Sequence, residues 1–527
     1  MFRRRAFLLG AASALITAFA AVPQTAPERR KPRLVVAVAI DQFRYDYLTR
    51  FRADYAGGLD RLLRRGAVFT NARYEHFPTV TAVGHSTFLT GATPSLSGIV
   101  GNEWYDRATG KQVTSVGDDT TQLLGGKGGV GSSPRRLAVS TIGDELKIAS
   151  RGECRVVGIS LKDRAAILPA GHISDGAYWF DPATGNFVSS TFYFQDLPAW
   201  AKEFNGSRAP DRYASAEWKP LVENASFPSF AKKMPATPGP GLWADLESSP
   251  FGNDLIEAFA ERAIQAEQLG HHAATDLLTV SFSSNDYVGH EAGPDAPEVR
   301  DMSIRVDRTL GKLLDFIDQR IGLANTIVVL TGDHGIPPLP EVLEKERMPG
   351  GRLSAKSILA AVQNALAERY GEGRWVVGSS GPAPYINDEL IRSKKLDAAE
   401  VHRVAAAAVM KLPHIFRVYT REDVLTGQMI QDNVSQRVTN GFFPSRSSDL
   451  FVIEEPYWIQ AQHGTTHGSP FMYDAHVPVV FMGPGVKAGR YHRNIMPNDI
   501  APTLATMLDV ETPSGSIGRV LDEMLAW

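Results

Sequence analysis

Apolar runs that end on acidic or imidazole side chains recur along this chain. Leu34–Ile40 is apolar throughout and ends at Asp41; Leu277–Phe282 leads to Asp286; Thr326–Leu330 leads to Asp333 and His334. Runs that are apolar on both faces suit central strands of a parallel sheet covered by helices. Open α/β sheets gather their sites at the carboxyl ends of such strands, where these ligand-type residues stand. Between the last two runs, Val299, Met302, Val306, Leu310, Leu313, Leu314 and Ile317 recur at spacings of three and four, with charges between them. That spacing predicts an amphipathic helix, and strand–helix–strand predicts a parallel α/β architecture. Val477–Met482 reads as a further core strand, so the sheet is expected to be assembled from separated segments.

The intervening stretches are of different character. The stretch at about 103–250 is rich in Gly, Ser, Pro and aromatics and is expected to be inserted cap material. That at about 349–440 carries two helical patterns around Trp375-Val376-Val377 and is expected to form a small subdomain. There is no internal repeat and no long low-complexity run. A length of 527 residues calls for two domains or one large α/β domain with insertions, here a catalytic domain over 33–527.

The N-terminus has its own pattern. Arg3, Arg4 and Arg5 precede an apolar stretch from Ala6 to Ala21, and Ala18-Phe19-Ala20 offers a small-x-small cleavage site. Residues 1–20 are expected to be a secretory signal, with the paired arginines pointing to twin-arginine export and a periplasmic or secreted protein. The alternative is an uncleaved anchor, for which the stretch is short. A flexible leader from Val22 to Lys31 follows. Loss of the three arginines takes the formal charge from −3 to −6. With no basic excess, nothing points to a nucleic-acid partner, and none is expected. Cys154, the single cysteine, reads as a core thiol at the start of a buried strand; no internal disulfide can form.

Asp41, Asp286, His290, Asp333, His334 and His467 carry the chemistry. Carboxylates and imidazoles together suit zinc, and six ligands suffice for two ions with positions left for substrate. Any one of these aspartates alone reads equally well as a turn residue. Thr81, in Phe77-Pro78-Thr79-Val80-Thr81-Ala82-Val83-Gly84-His85, falls at the start of a helix-competent segment. It is either a helix cap or a nucleophile whose hydroxyl a metal deprotonates. The pattern alone does not choose between Thr81 and Thr79. Lys162 and Arg164, in Ser160-Leu161-Lys162-Asp163-Arg164, would place two cations on one side of an extended segment, as a solvated pair or as a clamp on phosphate oxygens.

Taken in order, Asp41, Pro-Thr-x-Thr-x-x-x-His, Gly101-Asn102, Asn285-Asp286-x-x-Gly289-His290, Gly332-Asp333-His334-Gly335 and Thr466-His467-Gly468-Ser469-Pro470 resemble one family. It is the branch of the alkaline phosphatase superfamily that holds threonine-nucleophile bacterial phosphatases and nucleotide pyrophosphatase/phosphodiesterases. The resemblance runs from Leu34 to the C-terminus. It implies an α/β three-layer sandwich with a mostly parallel central sheet, and two zinc ions per chain. By the same resemblance, Asp286, His290 and His467 hold one ion, and Asp41, Asp333, His334 and Thr81 hold the other. Thr81, rather than Thr79, is the implied nucleophile, passing through a phosphothreonine, with Asn102, Lys162 and Arg164 on the phosphate oxygens. Monoesterases of this branch carry the Lys–x–Arg pair, so the implied activity is alkaline phosphatase on small phosphate monoesters. The alternative is a phosphodiesterase or nucleotide pyrophosphatase on the same site. A sulfatase is disfavoured by threonine at the nucleophile position. No membrane partner is expected once the signal is removed, and the chain is expected to be a monomer.

Overall fold

The computed structural model describes residues 31–526 apart from Ala225; the expected signal and nearly all of the leader lie outside the described residues. Pro32 to the C-terminus forms one compact unit. Its centre is an 11-stranded sheet. In chain order the strands are β1 (Leu34–Ile40), β2 (Ala67–Arg73), β3 (Gly117–Leu124), β4 (Val130–Ser132), β5 (Val156–Ser160), β6 (Gly176–Asp181), β7 (Asn186–Ser190), β8 (Asp276–Phe282), β9 (Thr326–Gly332), β10 (His476–Met482) and β11 (Gly489–Ile495). They lie in the order β11-β2-β10-β9-β1-β8-β5-β6-β7-β3-β4. The five strands β9-β1-β8-β5-β6 are mutually parallel; β10, β7 and β4 run against the rest.

The three continuous apolar runs are the middle of this sheet. Every residue of β1, β8 and β9 is buried, as strands covered on both faces must be. Alternate residues of β1 serve opposite layers. Val36, Val38 and Ile40 pack with Phe259, Leu310 and Leu314 from helices Pro250–Ala266 and Pro297–Arg320. Val35, Ala37 and Ala39 pack with Phe88, Leu89 and Leu504 on the other side. All seven apolar positions predicted for the helix before β9 are buried in Pro297–Arg320. At about 1.5–3 kcal/mol for each large side chain fully buried, this stripe holds the helix to the sheet.

The stretch at 103–250 is more than cap material, because it supplies β3 to β7. Its short run Val156–Ser160 pairs in register with β8 and extends the parallel centre. Cys154 is fully buried just before that strand. The helical pair Ala355–Tyr370 and Ala398–Val409 closes on its own apolar cluster around the buried Trp375.

Candidate active site

Register brings the site together. Ile40 pairs with both Phe282 and Gly332, so Asp41 and Asp333 leave the sheet side by side at its carboxyl edge. Ser160 pairs with Ser281 one strand further, which delivers Lys162 to the same edge. Asp286 and His290 follow β8 on the short helix Ser284–Ala292. Thr81 opens the helix Thr81–Thr90, which presses against the end of β9 because Gly84 has no Cβ to collide with the Asp333 carbonyl.

Two groups of ligand-type side chains form. In one, Asp286, His290 and His467 bring ligand atoms within 4.8 Å of one another. His290 Nδ1 donates to the Thr465 carbonyl and His467 Nδ1 to the Thr79 carbonyl, each at 2.8 Å. Both Nε2 lone pairs are thereby presented to a cation, as a carbonyl partner on the far nitrogen does for ligating histidines. In the other group Asp41 and Asp333 lie with His85. His85 has both nitrogens engaged, by the Thr81 carbonyl and Ser281 Oγ, each at 2.9 Å. It is a buttress between the carboxylates, not a donor with a lone pair to spare. His334 is the better ligand: its Nδ1 donates to the Gly335 carbonyl at 3.0 Å, and its buried Nε2 has no hydrogen-bond partner. Asp333 Oδ2 is likewise buried without a hydrogen bond, and Asp41 Oδ2 has only the Lys162 ammonium, 3.1 Å away. Such polar atoms are costly to leave unsatisfied. The donor set therefore fits a metal ion at each group, with nitrogen and carboxylate ligands of the kind zinc takes.

The electrostatics are mixed: burial lowers His334 and His290, yet Asp333 pushes His334 up to about 9 and Asp286 raises His290, so a metal ion would displace a proton at each. Burial opposes ionisation of Asp286 and Asp41, yet the surrounding cationic groups together, Lys162 with His290 and His467 at Asp286 and Lys162 with His85 at Asp41, hold both carboxyls below the usual range. His467 is kept well below the ordinary imidazole range by burial and by the neighbouring His334 and His290. Its ring stacks on that of His334 with centroids 3.5 Å apart.

Thr79 and Thr81 separate clearly. Thr79 Oγ1 donates to the Ser469 carbonyl at 2.8 Å. Thr81 is the first helical residue, after an N-cap, Val80, that makes no side-chain cap bond. Asn102 Oδ1 accepts from the Ala82 amide at 2.8 Å, which fixes the side chain beside Thr81 and leaves its NH2 group to donate.

Lys162 and Arg164 do not lie on an extended segment. β5 ends at Ser160, Lys162 is an N-cap and Arg164 is already in the helix Asp163–Ala170, so alternation does not govern their directions. Lys162 Nζ is buried between the two groups, 2.5 Å from Asp286 Oδ2 and 3.1 Å from Asp41 Oδ2. Arg164 pairs only loosely with Asp163 at 3.8 Å, and its Nε is buried without a partner.

Two residues had no assigned role in the sequence. His85 stands four residues after Thr81 on one helix face, the one signal that could have found it. Gln42 takes φ 57°, uncommon for a residue with a side chain. That turn aims its backbone N–H at Asp333 Oδ1 (2.8 Å) and its Nε2 at Asp286 Oδ1 (2.6 Å), linking the two groups.

A parallel-centred sandwich with two carboxylate–imidazole groups at the carboxyl edge of its sheet matches the threonine branch of the alkaline phosphatase superfamily. Residues 35–476 match the type I phosphodiesterase / nucleotide pyrophosphatase family, and the chain belongs to it. It is a hydrolase of phosphate esters. It is 36% identical to a protein of Myroides odoratus named calcium-transporting ATPase, over 94% of this chain and 95% of that one. Alkaline phosphatase PafA of Elizabethkingia meningoseptica is 35% identical over 94% and 95%. The crystal structure of wild-type PafA superposes with a TM-score of 0.87 at 33% identity, covering 94% of this chain and 99% of the other.

Proposed function

We propose that the chain is an alkaline phosphatase that hydrolyses phosphate monoesters through a phosphothreonine at Thr81. The observation that carries this reading is the pair of ligand-type groups gathered at the carboxyl edge of the sheet: Asp286 with His290 and His467, whose Nδ1 atoms are turned to carbonyls, and Asp41 and Asp333, beside which His334 stands. Each group would hold one zinc ion. When bound, such ions neutralise charge on the attacking and leaving oxygens and lower the pKa of a hydroxyl or water.

The chain's own residues do the rest. Thr81 attacks phosphorus in line with the departing alcohol, and water then hydrolyses the phosphothreonine. The helix N-terminus behind Thr81 favours an anionic phosphate. Asn102 donates its amide to a non-bridging oxygen. Lys162 is held by Asp286 and Asp41; were those carboxylates to hold metal, its ammonium would be available, with Arg164, to the phosphate oxygens. Similarity to PafA supports the monoesterase reading.

A phosphodiesterase is the second reading, favoured by the family that residues 35–476 match. Kinetics of an aryl phosphate, its methyl diester and an aryl sulfate on zinc-loaded protein decide between them. A kcat/KM highest for the monoester is expected; preference for the diester reverses the assignment. The arginine-led N-terminus supports export to the periplasm or medium. Among the described residues no helix is long and apolar enough to cross a membrane. The chain is proposed to act as a monomer.

A further inference from the structure

A cavity of about 350 Å³ opens beside the site, touching Val80, Asn102 and His467. That volume is in the range of small-molecule sites. Its walls come from segments far apart in sequence: Phe77 and Pro78 near Thr81, Tyr385 and Phe451 from the subdomain region, and Trp458 and Tyr473 beyond it. With Asn102 and His467 in its lining but neither Lys162 nor Arg164, the cavity adjoins the phosphate position from the side away from those cations, the space open to an ester's alcohol portion.

Its charges are all of one sign. Glu103, Glu454 and Asp474 line it, and among the described residues no lysine or arginine does. Glu454 ends the strand Leu450–Glu454, where Gln460 Nε2 donates to its Oε1. Asp474 is fully buried; its Oδ2 accepts from the Gly468 and Ser469 amides and from Ser469 Oγ, while Oδ1 has no partner. Fully buried, Asp474 adds negative charge behind the cavity wall rather than a contact for a ligand.

Building on the monoesterase reading, we infer that this cavity selects phosphate monoesters whose alcohol portion has an apolar body and a cationic or hydrogen-bond-donating end. Glu454 is the specificity-determining residue. Phe77, Trp458 and Tyr473 are the partly exposed rings of the wall; they suit an aromatic or aliphatic body, and such rings also attract cations. A second anionic group on the alcohol meets three carboxylates and no counter-charge, which disfavours it.

The test uses three esters that share one phosphate: phenyl phosphate, 4-(aminomethyl)phenyl phosphate and 4-carboxyphenyl phosphate, at pH 9 on zinc-loaded protein. The expected order of kcat/KM is aminomethyl, then phenyl, then carboxyl, each step about fivefold or more, as a fully water-screened pair of charges a few ångströms apart gives at the least. Glu454→Gln preserves the side-chain volume and is expected to compress that order. Glu103→Gln, at the exposed rim, is expected to compress it less. Equal kcat/KM for the three esters on the wild type, or an equal loss on all three in Glu454→Gln, overturns the inference. A binding arm needs no turnover: 4-(aminomethyl)phenol is expected to quench tryptophan fluorescence at lower concentration than 4-hydroxybenzoate, with Glu454→Gln removing the difference. If the proposed phosphatase activity itself fails, the esters are not turned over, and this arm still decides. Equal binding of the two phenols then overturns the cavity assignment.

Discussion

His467 donates a 2.8 Å hydrogen bond from Nδ1 to the carbonyl of Thr79, two residues before the proposed nucleophile. One ligand of one metal group is thus anchored to the backbone that carries Thr81. The ligand sets themselves share no side chain, so each group should fill independently. His467→Ala is expected to lower zinc from two ions per chain to about one and to abolish most activity. Metal analysis of the purified variant checks it. A variant that keeps both ions and full activity would remove His467 from the ligand set.

The two threonines give a sharper contrast. Thr79 already spends its hydroxyl on the Ser469 carbonyl, whereas Thr81 begins the helix beside Asn102. Thr81→Ala is expected to lose phosphoenzyme formation entirely. Thr79→Ala should retain it while losing one hydrogen bond, about 1 kcal/mol of stability. Acid trapping with labelled substrate, followed by peptide mapping, reads both. Label at Thr79, or on a histidine, contradicts the mechanism.

Equal run lengths explain why so much of this centre was legible in the sequence. β1 and β9 start and end in register, so Asp41 and Asp333, each placed directly after an apolar run, were bound to meet. Lys162 was harder to read. A lysine two residues from an arginine reads as a solvated pair or as a phosphate clamp, and neither reading places it against Asp286, where the turn into the helix that starts at Asp163 puts it. The role of His85 depends on Ser281, 196 positions away, which no local periodicity reports. Glu454 and Asp474 face the cavity only because strands and loops from four regions converge there.

Glu454 also makes a prediction about stability. Burial raises its pKa from 4.5 to about 7, with the Gln460 amide only partly offsetting that. Between those values the folded chain keeps a proton that the unfolded chain has released. Stability therefore falls as pH rises through that window, and the full penalty applies above it. Glu454→Gln removes the ionisable group. It is expected to raise stability on the order of 1–3 kcal/mol at pH 9, with little or no gain at pH 4.5. Thermal melts of both proteins at the two pH values check this. A gain of equal size at both would show that ionisation is not its source.

Lys162 and Arg164 separate the two enzyme readings, and Lys162 has a second role that can be tested alongside. A phosphate monoester dianion has three non-bridging oxygens. A diester has two, and its extra substituent takes the space of the third. A pair of cations gripping that third oxygen stabilises monoester transition states more than diester ones, and only such differential stabilisation raises selectivity. Hydrogen bonds to charged groups contribute about 1.5–3 kcal/mol each. Loss of both in Lys162→Ala/Arg164→Ala is then expected to reduce monoester kcat/KM by on the order of 10² to 10⁴, with a far smaller change for the methyl diester. Measuring both substrates on one preparation controls for folding and metal content. Lys162 also sits 2.5 Å from Asp286 and 3.1 Å from Asp41, neutralising two buried carboxylates. Removing it leaves those charges uncompensated until metal arrives, and breaking a buried pair in this way costs about 3–5 kcal/mol. Lys162→Ala is therefore expected to melt much earlier than wild type after chelation, and to recover most of the difference when zinc is restored. Equal losses on monoester and diester would end the clamp assignment and favour the phosphodiesterase. An unchanged melting temperature in chelated Lys162→Ala would show that the ammonium does not hold the two carboxylates together.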